Sequence, residues 1–99
     1  MSSQPLNTAI PEALRRVESL ECLLTSVTLE VDARELRCPL PLLRAKQALR
    51  NVAVGELVRV LATDVGSLKD FVSFAQLTGQ VIEGFCVQNE GYCYLIRKQ

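Results

Sequence analysis

Hydrophobic and polar positions recur along this chain with two different periods. Val27, Leu29 and Val31 alternate with Thr28, Glu30 and Asp32, the pattern of a half-buried strand. Further on the period lengthens. Leu42, Ala45, Leu49 and Val52 form an apolar stripe with Ala48 beside it, and Arg44, Lys46, Gln47 and Arg50 fill the other side. That spacing predicts an amphipathic helix over about 40–51, with Pro39 and Pro41 marking its first turn. Leu57 to Thr63 carries Val58, Val60 and Ala62 on one face and Leu57 and Leu61 on the other, which predicts a central strand. Leu68, Phe71, Val72 and Ala75 predict a second amphipathic helix that Gly79 stops. Ser67 and Asp70 have capping-box spacing, and Asp64 and Asp70 read as groups that cap or solubilise that helix. Residues 80–88 and 92–98 read as two strands around Asn89-Glu90-Gly91. Near the start, Ala13, Val17, Leu20 and Leu24 recur at helical spacing behind Pro11, predicting a helix over 11–24, and residues 1–10 read as a frayed tail.

The predicted fold class is α+β: a two-layer α/β sandwich, βαβαββ, with a four-stranded mixed sheet and two helices on one face. An N-terminal helical extension, residues 1–26, precedes a domain spanning 27–99. A chain of 99 residues holds one such domain and a single modest core.

Charge changes this picture locally. Eleven basic residues balance eleven acidic ones, so net charge gives no push toward nucleic acid or anionic membrane. Residues 33–50, however, hold Arg34, Arg37, Arg44, Lys46 and Arg50 against Glu35 alone. No aromatic residue lies between Arg34 and Arg50, so the segment offers no stacking platform and direct nucleic-acid binding is not expected. No apolar run is long enough to span a membrane. No apolar h-region follows Arg15, the first basic residue, so no secretory signal is expected and the expected setting is cytoplasmic.

The chain has no histidine, which excludes Ser-His-Asp and Cys-His catalysis and imidazole zinc sites. Chemistry must rest on cysteine, carboxylate, lysine or backbone groups. The cysteines are Cys22, Cys38, Cys86 and Cys93, with no Cys-x-x-Cys pair, so neither a zinc ribbon nor a thioredoxin-type dithiol is expected. Cys22 reads as packing. A three-residue hairpin loop pairs Val87 with Cys93, and a two-residue loop pairs Gln88 with Cys93; neither places Cys86 opposite Cys93.

Cys38 differs from the other three. It precedes a helix, beside Arg37 and inside the basic segment, and both features are expected to lower its thiol pKa. Pro39 and Pro41 hold the turn, and Pro39 has no N–H to compete for the sulfur. The pattern suits an exposed nucleophilic sulfur or one that carries a second sulfur as a persulfide. Two other functions fit the same residues: a non-catalytic regulatory or RNA-binding module using the basic helix face, and a thiol redox sensor.

At Leu36-Arg37-Cys38-Pro39-Leu40-Pro41 the chain resembles the TusA/SirA family of small sulfur carriers, whose signature is Cys-Pro-x-Pro at a helix start. The resemblance continues through Val31-Asp32-Ala33, Pro41 to Leu49, Gly55-Glu56, Val58 to Asp64, Gly66 to Phe71 and Tyr94 to Lys98, covering about residues 27–98. Val65 stands where the family often has proline. Leu40 fills the variable motif position, where some tRNA-pathway members have Glu.

The resemblance implies a sulfurtransferase in which Cys38 accepts sulfane sulfur and needs no metal or organic cofactor. The donor would be a cysteine desulfurase or a rhodanese-like protein, and the acceptor a DsrE-like or other protein thiol. Family pathways end in tRNA thiolation, molybdenum cofactor maturation or sulfur oxidation. Arg37, Pro39 and Pro41 would support the motif, and Leu40, Arg44 and Lys46 would meet partners.

Overall fold

The computed structural model describes residues 10–99. The tail expected at residues 1–10 lies almost wholly outside them. A single helical turn, α1 (Glu12–Arg15), and a 3-10 turn (Leu20–Leu23) lead into β1 (Leu29–Ala33), α2 (Leu40–Arg50), β2 (Leu57–Ala62), α3 (Gly66–Thr78), β3 (Val81–Gln88) and β4 (Gly91–Arg97). The strands form one mixed sheet in the order β1-β2-β4-β3. β1 and β2 are parallel, from Leu29 opposite Val58 to Ala33 opposite Ala62. β4 is antiparallel to both β2 and β3. The predicted βαβαββ order therefore holds.

Burial explains the layers. Val58, Val60 and Ala62 of β2 and Tyr92, Tyr94 and Ile96 of β4 face Ala45, Ala48 and Leu49 of α2 and Leu68, Phe71 and Phe74 of α3. The Phe71 ring stacks on Tyr94 at 4.1 Å, and the Ser67 and Tyr94 hydroxyls lie 2.7 Å apart in a buried hydrogen bond. These contacts fix the start of α3 on the sheet. Gly79 ends α3 in a left-handed conformation, as its position predicts.

The N-terminal segment departs from expectation. In place of a helix over 11–24, the chain makes one turn, runs extended, then makes the 3-10 turn. The backbone explains why. Ser19 N–H donates to the Phe85 carbonyl at 2.8 Å, and Phe85 N–H donates to the Val17 carbonyl at 3.2 Å, so the segment adds to the open edge of β3. An isolated helix of this length is marginal in water, whereas the unpaired edge of β3 offers ready partners. The predicted apolar face is not the buried one: Leu20 and Leu24 are 70% and 84% exposed, while Leu14 and Cys22 are buried.

The segment acts as a strap with one apolar contact on each face of the sheet. Leu14 joins the helix-side core, and Cys22 joins a second cluster with Cys86, Cys93 and Leu95. Arg59 of β2 ties the strap down, donating to the Cys22 carbonyl at 3.0 Å and to the Thr25 carbonyl, and pairing with Glu30.

The hairpin register is also corrected. Gly91 begins β4 rather than ending the loop, so Gln88 pairs with Gly91 across Asn89-Glu90 and Cys86 stands directly opposite Cys93.

Leu14→Ala is expected to lower unfolding free energy by about 2–5 kcal/mol, the cost of a large cavity. Leu24→Ala is expected to change it by less than about 0.5 kcal/mol. Urea denaturation of both variants measures this; a larger loss from Leu24→Ala would restore the continuous helix.

Candidate functional site

The parallel pair β1 and β2 sends both following helices back from the same end of the sheet. The starts of α2 and α3 therefore meet, and Cys38 lies between them. Pro39 occupies the N-cap position of α2 and Pro41 its first turn, where Pro41 is buried. The Cys38–Pro39 peptide is cis. Cys38 is exposed.

One carboxylate oxygen joins the two helix starts. Asp64 Oδ2 accepts from Gly66 N–H at 3.0 Å and from Cys38 N–H at 3.3 Å. Asp64 thus closes an Asx turn into α3 and holds the cysteine backbone against it. Gly66 permits the approach: a Cβ there would lie 2.8 Å from Asp64 Oδ2 and 3.1 Å from Cys38 Cβ. Beside this bridge, Glu35 N–H donates to Thr63 Oγ1 at 2.7 Å, which ties together the loops that follow β1 and β2.

A second carboxylate meets the sulfur itself. Cys38 Sγ donates to Asp70 Oδ2 at 2.6 Å. That hydrogen bond, with smaller contributions from desolvation and the charges of Asp70 and Asp64, raises the Cys38 thiol pKa. This reverses the expected direction. The basic segment does not supply the sulfur's immediate neighbours, and the first-turn amides are largely withheld from it. Pro39 and Pro41 have no N–H, Leu40 N–H donates to the Arg37 carbonyl at 2.8 Å, and Leu43 N–H donates to the Pro39 carbonyl at 3.1 Å.

The other expected residues are distributed more widely. Arg37 contributes its backbone carbonyl to the turn and, among the described residues, makes no ion pair. Leu40 is 44% exposed on the first turn of α2 and Arg44 is exposed one turn on. Lys46 lies over the Phe74 ring, 5.7 Å from its centroid, in a groove shared with Arg50 and Lys98 rather than at the sulfur. The expected capping box is absent: Ser67 Oγ bonds Tyr94 and Asp70 bonds Cys38, while Asp64 closes the turn into α3.

Asp64, Asp70 and Gly66 are thus site residues that local spacing did not assign to Cys38. They are separated from it by 26 to 32 residues. The available signal was indirect: two acids flank the start of a helix that follows a strand parallel to β1. Clefts of 460, 270 and 340 Å³ have linings that exclude Cys38. Cys38 is exposed and lies outside these three clefts.

No helix among the described residues is long and apolar enough to cross a membrane. The family model for sulfurtransferase TusA matches residues 29–98, the whole of the sheet and both long helices. The chain is similar to the sulfur carrier protein TusA of Allochromatium vinosum, 44% identical over 69 residues, covering 70% of this chain and 91% of that protein. It is also similar to a putative sulfur carrier protein of Neisseria meningitidis serogroup A, 48% identical over 52 residues, covering 52% and 70%. A putative sulfur carrier protein of Halobacterium salinarum is 36% identical over 75 residues, covering 73% and 90%. The chain belongs to the TusA sulfurtransferase family of sulfur carriers.

Proposed function

We propose that the protein carries sulfane sulfur as a persulfide on Cys38, taking it from one protein and giving it to another. The observation that supports this most directly is the exposed Cys38 sulfur, hydrogen-bonded to Asp70 at the junction of two helices. The donor is a persulfide on a cysteine desulfurase or rhodanese-like protein. The acceptor is a DsrE-like or other protein thiol.

In the loading step the Cys38 thiol proton moves to Asp70 Oδ2 as the sulfur attacks the outer sulfur of the donor persulfide. A new S–S bond forms on Cys38, the donor S–S bond breaks, and the donor cysteine leaves as a thiolate that takes a proton. In unloading, an acceptor thiolate attacks the outer sulfur of Cys38–S–SH. That S–S bond breaks, and Cys38 regains its proton from Asp70. Each step moves one sulfane sulfur between thiols with no net oxidation. Asp70 accordingly serves as a general base without histidine. Asp64 and Gly66 act as positioning residues, and Leu40, Arg37 and Arg44 present an apolar and basic surface to partners.

Incubation with a cysteine desulfurase and cysteine, or a rhodanese and thiosulfate, is expected to add one reducible sulfur mass at Cys38. Intact-protein and peptide mass spectrometry read this directly. Cys38→Ser should abolish the gain; loading that persists in that variant would overturn the assignment.

Asp70→Asn removes the carboxylate that holds the thiol protonated. The Cys38 pKa should therefore fall, giving more thiolate at neutral pH and moving the alkylation-versus-pH curve to lower pH. At pH values where Cys38 is still protonated in both proteins, transfer from the donor should nevertheless slow, because the proton acceptor is gone. An unmoved alkylation curve would remove Asp70 from the site.

Gly66→Ala is expected to slow loading by about 10–100-fold, since ångström-scale displacement of a reacting atom has that effect. The thermal midpoint and the alkylation curve report stability and thiol environment separately. Wild-type loading with a shifted alkylation curve would show that the close approach is dispensable.

A further inference from the structure

We propose that Cys22, Cys86 and Cys93 form a second, buried site that binds a single Cu(I) ion through three sulfurs. The three Sγ atoms all lie within 4.8 Å of one another. They come from three elements: the 3-10 turn of the strap, β3 and β4. None is a surface thiol, with exposures of 2%, 1% and 0%.

The arrangement is close to what a metal requires. A metal–thiolate bond of about 2.3 Å places the sulfurs of a trigonal site about 4.0 Å apart. Small side-chain rotations bring the trio to that spacing. Its construction depends on long-range register: Cys86 pairs directly with Cys93, and Gly84 leaves room for the strap to bring Cys22 onto them. A Cβ on Gly84 would lie 3.2 Å from Cys22 Cβ.

The donor set selects the ion. Structural zinc sites are almost always tetrahedral and need a fourth ligand. The chain has no histidine, and the residues around the trio are Leu23, Val27, Leu57, Leu61 and Leu95. The nearby Cys22 carbonyl already accepts from Arg59 Nε at 3.0 Å. Three soft sulfurs in a closed apolar pocket instead suit a soft monovalent ion of low coordination number.

Binding exchanges protons for metal. Without metal, burial pushes the Cys22 thiol up and Cys93 up to about 11. Cu(I) displaces three thiol protons to solvent and leaves two net negative charges on the ion and its three thiolates. The Arg59 guanidinium faces this charge and favours the Cys93 thiolate. No electron is transferred. Bound Cu(I) would link the strap to the hairpin by metal–sulfur bonds, independently of Cys38.

The test uses the reduced, full chain carrying Cys38→Ser, titrated anaerobically with Cu(I) supplied as its bicinchoninate complex. The expected result is withdrawal of one equivalent of Cu(I), a raised thermal midpoint, and three sulfur neighbours by X-ray absorption. Cys93→Val and, separately, Cys22→Ala should each weaken binding at least tenfold, with folding checked by the midpoint of the metal-free variant. Cys22→Ala alters the strap rather than the sheet, so it remains informative if Cys93→Val does not fold. Cu(I) left entirely with bicinchoninate, oxygen ligands at the bound ion, or tighter binding of Zn(II) than of Cu(I) would each overturn the site.

Discussion

Asp64 Oδ2 accepts two backbone N–H groups that belong to different βα connections, one at Cys38 and one at Gly66. A carboxylate can accept several hydrogen bonds at once, and charge-assisted bonds to backbone N–H are stronger than neutral ones. The consequence is geometric. The two helix starts are held together, and the cysteine between them cannot move independently of α3. Everything else at the site follows from that junction. Parallel pairing of β1 with β2 brings the two connections to one end of the sheet, and the Phe71–Tyr94 stack holds α3 in place. Gly66 allows a separation that any side chain would widen.

This junction gives Cys38 a thiol environment different from the one its flanking residues suggest. The arginines and lysine of residues 34–50 point to an electropositive sulfur, yet the nearest charges are Asp70 and Asp64. The hydrogen bond to Asp70 favours the protonated sulfur. For a carrier this has a chemical rationale. A permanently ionised, exposed thiolate would react with any electrophile, whereas a thiol with an adjacent proton acceptor becomes nucleophilic as it engages its donor. The basic residues remain on the surrounding surface.

The strap solves a separate problem. β4 has six buried residues among its seven, because it is central and covered on both faces. Helices α2 and α3 cover one face. The 3-10 turn, held by Arg59, covers part of the other. The same chain segment pairs with the exposed edge of β3, leaving less backbone open to another chain. Burial of three thiols beneath the strap is a result of this wrapping, and it separates them from the exposed Cys38.

The sequence alone determined the elements whose identity rests on hydrophobic period. The stripe through Ala45, Ala48 and Leu49, the two-faced pattern of Val58 to Ala62, and the Gly79 stop specify helices and strands from local burial. The Cys-Pro-Leu-Pro motif marked Cys38 and the sulfur-carrier family in the same local way. Periodicity carries no information about which distant polar groups meet. Asp70 reads locally as a group that caps or solubilises its helix, and only the meeting of the α2 and α3 starts placed its oxygen on a sulfur 32 residues away. Likewise, Val17 and Ser19 gave up helical hydrogen bonds to the edge of β3, because an edge strand supplies partners that an isolated helix must supply for itself. A Gly91 shifted from loop to strand brought Cys86 opposite Cys93, and the strap brought Cys22 across 71 residues to join them. These juxtapositions depend on register and closure, properties of the assembled sheet that no single segment possesses.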